Sequence, residues 1–378
     1  MSPYIFVCMP LLLVALFSYK KEVSSGILIF LFVPLFLLSA MRYDIGRDYS
    51  TYMLIFENPD LIGVNEKGYM LINNFAIQHG LTLQFVIIIY SMLTLLFAFI
   101  FISENSKNKI LSLFIFYTYT PFYLQTLNTL RQALAIYIFL YATKYIHKKN
   151  FLAYTLYILF AAVFAHNSVI VVLPLYFLLD RKYSNIIKCG LIACFIAVSS
   201  LLEFIVQSTP YAIYLLGDSG AGGFSPVFLM DILLCALVVF FQKKTNYIYS
   251  NITFFSLCIL SMGVFLKASP IFTIVSRINE YFLASLVISI SSRINDFRKY
   301  KKLLYYASIC CFFSVFYFSL SVNGLENQLV PYQTFFNVFH NDIYFDILMI
   351  INVLMFALNM LIYAMRRKAE CILCIIRL

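Results

Sequence analysis

The sequence predicts an all-α, polytopic integral membrane protein with about thirteen transmembrane helices. Three observations carry that prediction. The 378 residues are 62% hydrophobic and only 12% charged, whereas soluble domains carry roughly 25% charged residues. The apolar residues fall in blocks near the ~20 residues that cross a bilayer, too many for one soluble core to hide. Lys and Arg gather at alternate ends of those blocks. In lipid each span must satisfy its own backbone groups, which selects helices, and the alternation of an outer-membrane barrel is absent.

In chain order the apolar segments are residues 3–19, 26–41, 81–102, 110–127, 129–147, 151–165, 167–180, 186–206, 226–242, 247–267, 271–291, 303–321 and 344–364. The first is not preceded by a positive charge, and Lys20 and Lys21 follow it, so it reads as a span and not as a cleaved signal peptide. Residues 110–147 are too long for one span, and Pro121 with Asn128 marks a break. Residues 151–180 have basic flanks on both sides, Lys148 and Lys149 before, Arg181 and Lys182 after. Two short spans turning near His166 put both flanks on one side. The whole chain, 1–378, reads as a single multi-span domain. Residues 42–80 form a first long outer segment, and 207–225 and 322–343 form further outer loops.

With the N-terminus outside and the C-terminus cytoplasmic, 21 of the 27 Lys and Arg lie inside. That distribution accounts for the net charge of +10 without a nucleic-acid partner, and places the basic loops against anionic membrane lipid. None of the nine Cys lies in a predicted outer loop, so no disulfide is expected. Cys371 and Cys374 form a lone C-x-x-C with no second pair or nearby His, so no metal site is expected there. The four His show no ligand spacing, and neither metal nor cofactor is expected.

Six basic residues defy the inside bias: Arg42, Arg47, Lys67, Arg131, Lys267 and Arg277. Ionisable groups placed against the topology rule are functional candidates. Arg42 sits in "MRYDIGRDYSTY", beside Asp44, Arg47 and Asp48. "EKGYMLINNFAIQHG" follows at 66–80, and suits either an interfacial helix or an early start to the next span. On such a helix Tyr69, Leu71, Ile72, Phe75, Ala76 and Ile77 share an apolar face, with Asn73, Asn74 and Gln78 opposite. Arg131 falls in the first turn of a span, where a guanidinium and a helix start both favour phosphate; snorkelling to headgroups is the plainer alternative. His166 closes a turn between two short spans, where it either accepts a proton or holds the turn. Arg277 and Glu280 lie three apart within a span and are expected to pair, either to fix packing or so that Glu280 orients Arg277 toward a phosphate. The loop at 321–342 mixes aromatics and amides, suited to sugar stacking or to an interfacial belt. The Gly-rich stretch at 216–226 reads as a flexible, lid-like loop.

The set R-x-x-x-G-x-D-Y (Arg42, Gly46, Asp48, Tyr49), Tyr52 and Phe56, E-x-G-Y (Glu66 to Tyr69), R-Q-x-L-A at Arg131, "AHNS" at Ala165, "RINEYF" at Arg277 and the late Pro331-Tyr332 resembles the EpsG-type branch of the Wzy polysaccharide polymerases. The resemblance implies a bacterial glycosyltransferase of the cytoplasmic membrane with its site on the outer face. It implies transfer of a growing O-antigen or capsule glycan from undecaprenyl pyrophosphate to the non-reducing end of a lipid-linked repeat unit, without a metal; a one-step displacement at the anomeric carbon would invert its configuration. Its substrates would be undecaprenyl pyrophosphate-linked oligosaccharides, and a chain-length regulator is a candidate partner. Arg42, Arg131 and Arg277 would stabilise the leaving pyrophosphate. Asp48, Glu66 and His166 are the candidates for the base that takes the acceptor proton. Tyr49, Glu280, Tyr281 and Tyr332 are expected to bind substrate. A flippase for the same lipid or an O-antigen ligase is the alternative; the flippase would carry matched halves and charges reachable from both sides, and no internal repeat is found.

Overall fold

The computed structural model describes residues 1–19, 23–59, 64–207, 225–241, 247–267, 269–297 and 299–335. The predicted span 344–364, the Cys371–Cys374 pair, nearly all of 207–225 and the end of 322–343 lie outside the described residues. Among those described, helix is the regular structure throughout. The helices are α1 (Ser2–Phe17), α2 (Ser25–Ala40), α3 (Tyr49–Glu57), α4 (Lys67–Gln78), α5 (Leu83–Asn105), α6 (Lys109–Thr118), α7 (Tyr123–Asn128), α8 (Leu130–Ala142), α9 (Lys144–His147), α10 (Phe151–Phe164), a 3-10 helix (Asn167–Phe177), α11 (Asn185–Gln207), α12 (Pro226–Phe240), α13 (Tyr247–Leu266), α14 (Phe272–Leu283), α15 (Leu286–Asp296) and α16 (Lys301–Val322).

Four of these helices are long and apolar enough to cross a bilayer: α5, α11 over Asn185–Leu202, α13 and α16. The bent pair α14–α15, with 50° between its halves, makes a fifth. Six shorter apolar helices accompany them. The outward apolar side chains are as lipid-facing helices require: Phe6 is 80% exposed and Ile186 85%. Core packing runs α2 to α5 to α8 to α10 on one side, and α11, α12 and α14 around α13 on the other.

Several expected spans differ from the structure for identifiable reasons. Residues 110–127 are not one helix. Pro121 lacks an N–H and pushes Thr120 out of helical geometry, so α6 stops at Thr118 and α7 restarts at Tyr123. The expected break near Asn128 is present, before α8. Residues 167–180 form a 3-10 helix over Asn167–Phe177, with Pro174 inside it. At ~2.0 Å per residue its eleven residues rise about as far as the fourteen of α10 at ~1.5 Å, so the two pack side by side. The turn falls at His166, as the basic flanks required. In α4 the expected apolar face is split. Asn73 is fully buried with Tyr69 and Ala76, while Leu71, Phe75 and Ile77 are exposed.

The segments that follow α2 and α16 join. Arg42 bridges to Thr334, Tyr43 N donates to Gln333 O at 3.0 Å, and Gly46 N donates to Gln328 O at 3.0 Å. Two stretches far apart in sequence thus form one rim.

Candidate active site

Two glycines set the positions of the acidic candidates. Gly46 has φ +97°, and a Cβ there would overlap the Leu127 carbonyl. Only glycine permits this conformation and this approach together. The loop therefore lies on the α7–α8 junction, where Arg47 N donates to Asn128 Oδ1 at 3.0 Å. Gly68, at the start of α4, is as tightly placed: a Cβ would lie 2.5 Å from the Phe164 ring. Without that side chain α4 closes on the end of α10, and Glu66 arrives beside His166 and Asn167. The E-x-G-Y spacing is thus a packing instruction for its own carboxylate.

Glu66 is 6% exposed and held on both oxygens. Arg131 Nη1 donates to its Oε2 at 2.9 Å, and Asn167 N donates to its Oε1 at 3.1 Å. His166 Nδ1 lies 3.9 Å from the same Oε1. The Arg131 guanidinium also stands 4.9 Å from the Tyr69 ring and 5.8 Å from Tyr52, within cation–π range. Its Nε has no partner among the described residues, a spare buried donor.

His166 faces a short relay. Tyr281 Oη lies 2.8 Å from Ser168 Oγ, which lies 2.9 Å from His166 Nδ1. Ser168 N also donates to Nδ1 at 3.2 Å, so in the neutral ring the proton sits on Nε2. Burial holds the ring well below its ordinary pKa, at about 4, against the opposing pull of Glu66. The imidazole is neutral at pH 7 and weakly basic.

Arg277 does not pair with Glu280 as the i, i+3 spacing suggested. Its Nη2 lies 3.9 Å from Asp48 Oδ1, and its carbonyl accepts from Gln132 Nε2 at 2.6 Å. Glu280 turns inward instead. Its Oε1 accepts from Gln125 Nε2 at 2.9 Å, while Oε2 is buried without a partner among the described residues. Asp48 is the least engaged carboxylate of the group, with its side chain 30% exposed. Burial raises its pKa, opposed by Arg277, Arg131 and Arg47.

Three expected ligand contacts sit behind this surface. Arg42 is 1% exposed. Its Nη1 donates to Ser39 O at 3.3 Å and Ser39 Oγ at 3.0 Å, and it lies in the field of Tyr52, Tyr123, Tyr332 and Tyr4. No described acid pairs with it within 4.0 Å. Tyr332 donates to Leu38 O at 2.6 Å. Tyr49 is buried on α3, packed edge-on against Tyr43, and lines a separate cleft with Phe56 and Leu81. Arg47 pairs with Glu326 at 3.8 Å on the exposed rim.

The structure thus joins Asp48, Glu66, Arg131, His166, Arg277, Glu280 and Tyr281 in one cluster. It adds Gln125, which sequence reading passed over because a single amide carries no spacing signal, and gives partners to Gln132 and Ser168, which stood in quoted motifs without a role. Asp231, the lone acid of an apolar segment, was detectable. It accepts from Tyr119 Oη at 2.6 Å and lines a cavity of about 300 Å³ shared with Glu280 and Gln125. Neither the curated proteins nor the solved structures hold a significant match to this chain. The candidate residues, from Arg42 to Tyr332, all fall within residues 26–334, which match the model of the EpsG family, and the chain belongs to that family.

Proposed function

We propose that this membrane protein is a polysaccharide polymerase that transfers a growing glycan from undecaprenyl pyrophosphate to a lipid-linked repeat unit. Family membership supports the polymerase class. The observation that carries the chemistry is the convergence of Arg131 and Arg277 on Asp48, Glu66 and His166. These two arginines stand on the predicted outer side, where basic residues are scarce. Fixed guanidinium donors suit the negative charge that develops on a departing pyrophosphate.

Asp48 is the base in this reading. Glu66 is held by Arg131 and Asn167 N, and the pKa of His166, about 4, makes it a poor proton acceptor. Asp48 is partly open and its carboxylate is more basic than usual. The acceptor hydroxyl oxygen attacks the anomeric carbon as its proton passes to Asp48. The bond from that carbon to the pyrophosphate oxygen breaks, and the electron pair leaves with the lipid pyrophosphate. One such displacement inverts the anomeric configuration. The reading includes thirteen spans, an N-terminus outside, a cytoplasmic C-terminus and a site on the outer face of the bacterial cytoplasmic membrane.

The test is reconstitution of the purified protein with synthetic undecaprenyl pyrophosphate-linked repeat units. A ladder of longer glycans is expected. Transbilayer movement of the substrate without elongation would refute the polymerase and favour a flippase.

A further inference from the structure

Beside the cationic cluster opens the cavity of about 300 Å³, at the lower end of small-molecule sites, roughly 300–1,000 Å³. It lies between α7, α12, α13, α14 and α16. Its polar lining differs in kind from that of its neighbour. Among the described residues lining it are two carboxyl groups, Asp231 and Glu280, and five amides, Asn128 and Asn279 among them, but no Lys, Arg or His. Lys267, on the same side, is held over the rings of Phe228 and Phe272, at 5.4 and 4.1 Å. Arg277 turns away to Asp48.

Buried carboxyl groups need donors. Tyr119 supplies one to Asp231 and Gln125 one to Glu280, but Glu280 Oε2 has none among the described residues. Asn279 Oδ1 accepts from Ser256 Oγ at 2.8 Å, which directs its amide nitrogen to other acceptors. Phe228 and Phe272 supply apolar faces on the same wall. Phosphate and pyrophosphate bring negative charge and few donors, and a uronate adds a third carboxyl group to a wall that already holds two. A neutral ring bearing several hydroxyls brings donors, acceptors and a C–H face together.

We infer that this cavity, walled by Asp231, Glu280, Asn279 and the Phe228–Phe272 pair, is the subsite for an uncharged, hydroxyl-rich sugar ring of the acceptor glycan. The inference rests on the polymerase reading for the name of its ligand. Asn128 ties it to the chemistry. Its Oδ1 fixes the backbone N of Arg47, next to Asp48, its Nδ2 donates to Gln125, and its side chain also lines the cavity. A sugar seated there lies against the loop that carries the base.

Two probes test it on the purified full chain: the repeat-unit glycan freed from its lipid by mild acid, and undecaprenyl pyrophosphate bearing no sugar. Asp231→Leu removes a carboxyl group, and Ser276→Phe adds bulk to the lining from a part-exposed position. Each variant is expected to lose at least tenfold in glycan affinity with lipid pyrophosphate binding unchanged. Glycan binding equal to wild type in both folded variants overturns the subsite and leaves the polymerase reading intact. Equal loss of both probes overturns it as well, since the cavity would then not select the sugar. Wild-type protein that binds neither probe overturns both.

Discussion

Arg131 donates to Glu66 at 2.9 Å across 65 residues of chain, and both side chains are largely buried. Breaking a buried pair leaves an uncompensated charge and costs about 3–5 kcal/mol. Arg131→Ala is expected to lower thermal stability and abolish polymer. The double variant Arg131→Met/Glu66→Leu should recover much of the stability and none of the activity. Thermal shift and ladder assays on the same preparations check this, and a polymerising double variant would refute the phosphate role.

Asp48→Asn is expected to cut the turnover rate by about 10²–10⁴, the usual range for a lost general base, with lipid-substrate affinity preserved. As a base, Asp48 works only deprotonated, so wild-type activity should fall as pH drops through its raised pKa. Arg277 pulls that pKa down. Arg277→Gln should therefore move the acid limb to higher pH, apart from its effect on the maximum rate. An acid limb unchanged by Arg277→Gln would assign the proton to another group.

His166 has a folded pKa of about 4, below its ordinary value of 6.5. The unfolded chain thus binds the proton more readily over that interval, so stability is full above pH 6.5 and falls as pH drops toward 4. His166→Gln should flatten this part of the stability profile, by about 1–3 kcal/mol at its acid end. Melting curves between pH 4 and 7 measure it; identical slopes for both proteins would contradict the buried neutral ring.

Arg42 is sealed among tyrosines. Arg42→Gln is expected to destabilise by about 1–3 kcal/mol through buried acceptors left unpaired, while the folded fraction keeps its affinity for undecaprenyl pyrophosphate. A selective loss of that affinity at unchanged melting temperature would restore Arg42 as a phosphate ligand.

Gly46→Ala meets both a left-handed backbone and the Leu127 carbonyl. A cost of about 1–3 kcal/mol is expected from the backbone alone, with Asp48 displaced and polymer lost. Gly80, also at positive φ but with open space around it, should tolerate alanine with a smaller loss of stability. Equal effects at both sites would mean that the Leu127 contact does not matter.

The sequence by itself determined the helical class, the turn at His166 and the set of residues worth watching. Apolar length and charge asymmetry act locally, along one segment at a time, and so they are legible without a fold. Pairing is different. Arg277 and Glu280 share a helix face, yet α14 turns one toward Asp48 and the other toward Gln125. Arg42 and Arg131 look alike in sequence, and only packing seals the first and leaves the second beside Glu66. The cavity is legible in no single segment, because five helices contribute its wall. What tertiary structure alone decided is which buried charges meet, since a side chain's partner depends on elements that approach from far away in the chain.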